Sequence, residues 1–390
     1  MHFNLLDCFF EDDSSKNGKS LWKLDKFDYI YFVIYLITFF FIWICSSFAR
    51  DFYSLLSYWD GPNYVYAAKT FYDIPNDNPW GKYFKFPKYY FACHLPGFPI
   101  VIKIFAILLF GNYWVGDVLA ILSTSLLSIY LFRRLLLVYN CVKYIRWTTL
   151  LFLFLPIRMV IYRNVGASEP LYISFIFLSL IFYKLNKKMY MIFAMWGASF
   201  TRIEGLSIVG TIGLCYLLKF DILSAIFTSL GFLGFIFILL FHQYKFGDFT
   251  AYFKFNQGGQ GLLNYPFSNI INNSYSTINR YKFLTQHLIM LIGLINIYNI
   301  SLPFSIFSTI YFIYSTSLNH MDVYRYSLPG YILCLLVGLD VIWSSSLFKK
   351  HFLSISLFYL FALFFYSIGQ ITTNICGHNF LNEVMNQNLF

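Results

Sequence analysis

Charge is scarce in this chain. Of 390 residues, 28 are Lys or Arg and 18 are Asp or Glu, a charged share of 12%, against roughly 25% in soluble domains. With 58% apolar residues, it cannot cover one core with a polar surface. That excludes a soluble enzyme, a coiled coil and a disordered scaffold. Paired cysteines are missing too. Cys8, Cys45, Cys93, Cys141, Cys215, Cys334 and Cys376 are scattered, and none has C-x-x-C spacing, so neither a disulfide framework nor a thiolate metal site is signalled. There is no P-loop, Rossmann glycine pattern, zinc motif or nucleophile elbow. Nor is there a cleavable signal pattern, because the first apolar run begins near Tyr29 behind a polar segment and is long enough to stay in a membrane.

What remains is an all-α polytopic membrane protein. Residues 1–28 read as a cytoplasmic N-terminal segment, 29–372 as a single transmembrane domain and 373–390 as a cytoplasmic C-terminal tail. The apolar runs suggest roughly eleven or twelve spans, the first about one bilayer thickness long and the short pieces open to merging. Two polar loops interrupt them, at about 49–96 and 243–283, the first expected to carry interfacial helices. The net charge of +10 records basic cytoplasmic loops, with no nucleic acid as partner. Basic clusters at Arg133, Arg134, Lys143 and Arg146, at Lys184, Lys187 and Lys188, and at Lys349 and Lys350 should then share the cytoplasmic side. The 49–96 loop and the turns at Asn164–Glu169, Thr201–Gly205 and His320–Arg325 should share the other. One conflict arises: if 97–111 and 113–132 are two spans, Arg133 and Arg134 fall on the wrong side, unless Gly111–Asn112 is a kink or a re-entrant break.

Charges at a membrane boundary are costly and therefore informative. Asp60 follows Trp59 and precedes Gly61, Pro62 and Asn63; a partly dry carboxylate there would be more basic and suit a general base, the bland alternative being a cap on a helix starting near Asn63. His94, before Pro96 and Pro99, could donate to a phosphate or sugar, or be structural. Ser168 and Glu169 fit a helix N-terminus, with Arg163 near enough to neutralise an anion. Arg202 and Glu204 share a tight turn, where the arginine could hold a phosphate or simply pair with the glutamate. His320 and Arg325 are further phosphate ligands, or snorkelling side chains. Asp73 and Asp77 are close in sequence but make a poor metal site, so no metal and no cofactor are expected.

The order of these features is more specific than any one of them. W-D in the first long loop is followed by a Pro-rich return at 96–99 and S-E at 168–169. Then come T-R-x-x-G at 201–205, Y-x-F-G-D from Tyr244 onward, and R-Y-x-L-P at 325–329. This resembles the GT-C glycosyltransferases over residues of about 29–330, most closely the PIG-V-type mannosyltransferases that act in GPI-anchor assembly. The resemblance implies a GT-C-like bundle, a dolichyl-phosphate-mannose type of donor, a luminal site and an inverting transfer. It makes Asp60 the catalytic base. Arg202, Arg325, His320 and Arg163 would then hold the donor phosphate, and Trp59, Asn63, His94, Glu169 and Glu204 would line the substrate. The partners would be that lipid-linked donor, a glycolipid or protein acceptor, and membrane lipid. The membrane would be the endoplasmic reticulum in a eukaryote, where Asn272–Ser274 would be a glycosylation acceptor, and the plasma membrane in a bacterium. A transporter or scramblase, and a noncatalytic subunit of a glycosylation complex, are the alternatives. The former would place charges such as Asp117 or Asp340 deep within spans.

Overall fold

The computed structural model describes residues 7–10, 21–75, 87–254, 263–271, 276–320, 322–375 and 378–386. Asp77, Cys376 and the Asn272–Ser274 acceptor lie outside them. Among the described residues every regular element is a helix, apart from two isolated bridges, Tyr58 with Ile375 and Leu263 with Leu318.

Four helices are long and apolar enough to cross a membrane: α1 (Lys26–Ser47), α4 (Tyr113–Tyr139), α10 (Ile222–Phe246) and α14 (Ser346–Thr373). The others used below are α2 (Gly61–Thr70), α3 (Gly97–Leu108), α5 (Ile145–Phe154), α6 (Ile157–Tyr162), α7 (Glu169–Lys184), α8 (Lys188–Thr201), α9 (Leu206–Leu217), α11 (Thr277–Tyr298), α12 (Leu302–Ser317), α13 (Val323–Ile332) and α15 (His378–Asn386). This differs from the eleven or twelve full spans expected. Several apolar runs are broken into pieces of 10–17 residues, since proline removes a helix-sustaining N–H. The expected run 147–162, for instance, divides at Pro156 into α5 and α6.

The α1 sequence shows why the bundle belongs in lipid. Asp25 caps it, accepting from the backbone N–H groups of Phe27 and Asp28, and Asp28 returns the bond to the Asp25 N–H at 2.9 Å. One stripe, through Tyr31, Tyr35, Phe39, Ile42 and Trp43, is buried. Three of its polar tips reach backbone carbonyls: Tyr31 that of Arg146, Tyr35 that of Arg163 and Trp43 that of Asn164. The opposite stripe, Val33, Ile37, Phe40, Phe41 and Ile44, is equally apolar but exposed. A helix apolar all round, with one half uncovered, needs an apolar solvent.

The bundle has two chemically different ends. At one, Arg133 is bonded to Asp25 at 2.7 Å and to Asp28 at 2.8 Å, and Arg134 pairs with Asp28. Lys349 sits 4.0 Å over the Tyr144 ring and Lys184 5.5 Å over that of Tyr139. The three basic clusters therefore share one end with the start of α1, as the charge pattern requires. The Arg133–Arg134 conflict dissolves because α3, 12 residues long, spans only about 18 Å and begins and finishes at the opposite end. Gly97 packs on Thr201, Gly111 turns the chain at φ 86°, and Trp114 lies 4.7 Å from Tyr53. The break at Gly111–Asn112 makes α3 re-entrant, and α4 alone carries the arginines across.

The C-terminal segment is not at the basic end. The Asn374 carbonyl accepts from the Trp59 N–H at 3.2 Å, Phe380 packs on Tyr66, and Lys69 Nζ donates to the Met385 carbonyl at 3.2 Å. The expectation of a cytoplasmic tail is thus corrected: α14 starts beside Lys349 and delivers Asn374, Phe380 and Met385 to the end that holds the W-D turn.

Candidate functional site

The four segments expected on one side meet there. Trp59, in the left-handed region at φ 40°, turns the chain into α2. Asp60 occupies the N-cap position, yet its side chain makes no capping bond; its Oδ2 accepts from Arg325 Nη1 at 2.6 Å instead. The capping alternative for Asp60 is thereby set aside. Gly61 crosses Gly166 so closely that a Cβ on Gly166 would lie 3.1 Å from the Gly61 Cα, and this crossing brings the first turn of α7 against the Asp60 turn. A Cβ on Gly61 would strike the Leu56 carbonyl. Gly61→Ala is expected to destabilise the fold by about 1–3 kcal/mol, read as a lowered thermal transition; an unchanged transition would contradict the crossing.

From Asp60 an ionic chain runs through the site. Arg325 Nε donates to Glu169 Oε1, which also accepts from Arg202 Nη1 at 2.7 Å; Arg202 Nη2 donates to Glu204 at 3.1 Å, and Glu204 accepts from Tyr314 at 3.3 Å. On the other flank His94 Nε2 lies 3.5 Å from Asp60 Oδ1 and 3.2 Å from Asn63 Nδ2, which also contacts the Tyr90 hydroxyl at 3.1 Å. Ser168, expected to open α7, takes the Tyr64 hydroxyl's bond at 3.0 Å. The pairing of Arg202 with Glu204 means that the turn-stabilising reading of those two residues holds alongside any other. Trp59 is half exposed at 52% and leaves its indole open beside the site.

Three expectations need correcting. A dry setting was to make Asp60 more basic. Burial does push its carboxyl up, but the Arg325 guanidinium, with His94, more than reverses this and holds it below the usual carboxylate range. Asp60 is therefore ionised and, while paired, a weak base. Arg163 does not reach the site. Its guanidinium bonds the Phe152 carbonyl at 2.7 Å and lies 4.0 Å from the Phe152 ring, satisfying the orphan carbonyls that end α5. His320 is close to the cluster but not as a cation. Its Nδ1 accepts from the Asp322 N–H at 3.0 Å, and burial lowers its pKa, so it can donate one hydrogen bond and no charge at pH 7.

Arg158, Tyr162 and Asp322 were overlooked. Arg158 is bonded to Asp322 at 3.1 Å, and the Tyr162 hydroxyl donates to Asp322 at 2.8 Å while its ring lies 5.5 Å from the Arg325 guanidinium. The signal in the sequence was an arginine just after Pro156, hidden within what reads as one apolar run. The site thus sets the carboxylates of Asp60, Glu169, Glu204 and Asp322 against the guanidinium groups of Arg158, Arg202 and Arg325. It is not a positive hollow, and an arriving anion must take an arginine from a carboxylate.

Asp117 is buried behind the Gly61–Gly166 crossing, one turn into α4, and Asp340 accepts from the Lys143 N–H at 2.9 Å at the basic end. Each is near a helix terminus rather than deep in a span. Asp73 pairs with Lys245 at 2.8 Å, and no metal-ligating group of three His, Cys, Asp or Glu occurs among the described residues. No protein-family model matches the sequence, and no curated protein matches it either.

Proposed function

We propose that the chain is a membrane glycosyltransferase that moves a hexose, mannose in the first instance, from a dolichyl-phosphate-linked donor to a luminal acceptor with inversion, Asp60 being the general base. The support is one observation: the W-D carboxylate, ionised and 24% exposed, is bonded at 2.6 Å to the arginine of the R-Y-x-L-P segment. That puts a proton acceptor and an anion ligand in contact at the end of the bundle opposite the basic clusters.

The chemistry follows from the pairing. A donor phosphate bound at Arg325 competes with Asp60 for the same guanidinium. As it does so, Asp60 loses its partner and becomes more basic, at the moment when an acceptor hydroxyl must be deprotonated. The oxygen then attacks the anomeric carbon, and the departing lipid phosphate, already anionic, is stabilised by Arg325 rather than by a general acid. A GPI-anchor precursor is the acceptor that the motif order favours. The membrane would be that of the endoplasmic reticulum in a eukaryotic cell.

The test is transfer of labelled hexose from dolichyl-phosphate-mannose by the purified chain, together with extraction of lipids from depleted cells to identify the accumulating precursor. Absence of transfer with every lipid-linked hexose tried, and no accumulated precursor, would reject the reading. The pH profile gives a second check. Asp60 must be deprotonated to act, and its free-state pKa is depressed, so the acid limb of kcat/KM is expected below about pH 4, the ordinary carboxylate range. The limb of kcat, which reports the donor complex, should lie higher because Arg325 has been drawn away. A limb of kcat below that of kcat/KM would reject the exchange of partners.

A further inference from the structure

We infer that Arg158 is the anchor for the lipid phosphate of the donor, approached along the seam where α14 meets α6, with the prenyl tail lying in that seam. The chemical identity of the lipid rests on the glycosyl-transfer reading; the anion site itself does not.

The argument begins with which cation can be taken. Arg202 holds two carboxylates, and so does Arg325, which a phosphate can draw from Asp60 only once it is already held beside it. Among the described residues Arg158 holds one, Asp322 at 3.1 Å, and beyond it the Gln370 amide oxygen at 3.4 Å, the far edge of a hydrogen bond. It is also the most open of the three, at 21% exposed against 11% for Arg202 and 14% for Arg325. If a phosphate takes Arg158, Asp322 Oδ2 keeps the Tyr162 hydroxyl at 2.8 Å, so the carboxylate retains one hydrogen bond.

Position supplies the second part. Gln370 and Tyr366 are one turn apart on α14, so both face Arg158. Tyr359, two turns back along α14 from Tyr366, donates its hydroxyl to the Phe154 carbonyl at the end of α5 at 2.9 Å. Seven residues are two helical turns, about 10 Å of rise, so the packing of α14 against the α5–α6 break continues the seam from Arg158 towards the bilayer interior. The outer face of α14 beside it, through Phe358, Phe361 and Phe365, is apolar and exposed. A ligand with an anionic head and a long apolar tail matches this arrangement: the head meets Arg158 and Gln370 at the bundle end, and the tail never leaves lipid. The head would then rest beside the Tyr162 ring that carries Arg325, next to the Asp60 carboxylate.

The test uses the full chain in nanodiscs with dolichyl phosphate, without sugar, as the probe. Arg158→Gln is expected to weaken binding at least tenfold, and Arg158→Lys to recover part of the loss. Inorganic phosphate at millimolar concentration is expected not to compete. In transfer assays Arg158→Gln should raise the donor KM with little change in kcat. The helix content and thermal transition of Arg158→Lys serve as the folding control. Binding by Arg158→Gln within twofold of the unaltered chain would overturn the anchor, and so would a fall in kcat at unchanged KM. Equal competition by inorganic phosphate would overturn the lipid source. Arg158-dependent binding without any hexose transfer would sustain the anchor while rejecting the enzymatic reading. Transfer with the donor KM untouched by Arg158→Gln would do the reverse.

Discussion

Asp60→Asn is expected to lower hexose transfer by about 10²–10⁴-fold, the range that a positioned general base contributes, while dolichyl phosphate still binds. Asparagine preserves the shape of the W-D turn and can still meet Arg325 through its amide oxygen, but it cannot accept the proton of an incoming hydroxyl. Because Asp60 is 24% exposed and Arg325 retains Glu169 as a second partner, the variant should fold. The measurement is single-turnover transfer by purified protein. Near-normal transfer would sink the base assignment. A noncatalytic subunit behaves differently again: Asp60→Asn would leave its role intact while loss of the 49–96 loop abolished it.

Glu169→Gln is expected to cost stability rather than proton transfer. Glu169 is 2% exposed, and its Oε1 is shared by Arg202 and Arg325. Removing that charge leaves two poorly solvated guanidinium groups, one retaining Glu204 and the other Asp60. Breaking a buried ion pair from one side costs roughly 3–5 kcal/mol, because the stranded partner is the penalty. Denaturation of the purified variant in detergent should therefore begin well before that of the unaltered chain, and before that of Asp60→Asn. Equal stability of all three would mean that Glu169 does not hold the two arginines together. The contrast between the two variants separates chemistry at the outer end of the ionic chain from architecture at its centre.

Much of the architecture was legible in the sequence. A charge content of 12% with 58% apolar residues leaves bilayer solvation as the only way to expose so much apolar surface. The basic clusters announced which ends of which helices come together. The polar turns at 58–64, 164–169, 201–205 and 320–325 were identifiable because charge near a membrane is too costly to be incidental. The number of spans was less legible. Hydropathy sums along the chain and does not register a proline that divides 147–162, or a glycine turn that sends α3 back to the end from which it came.

The sequence by itself therefore determined the solvent, the helical class and the set of residues able to carry chemistry, because each depends on composition and local spacing alone. Only the tertiary structure decided who pairs with whom. Arg325 meets a carboxylate 265 positions away, Arg163 turns into the end of α5, and Arg158 emerges beside the site from within an apolar run. The physical reason is that a guanidinium withdrawn from water must find an oxygen, and which oxygen is nearest depends on how helices cross, as at Gly61 and Gly166. The same crossing made Asp60 a paired, weakly basic carboxylate instead of the isolated, strongly basic one its neighbours in sequence suggested.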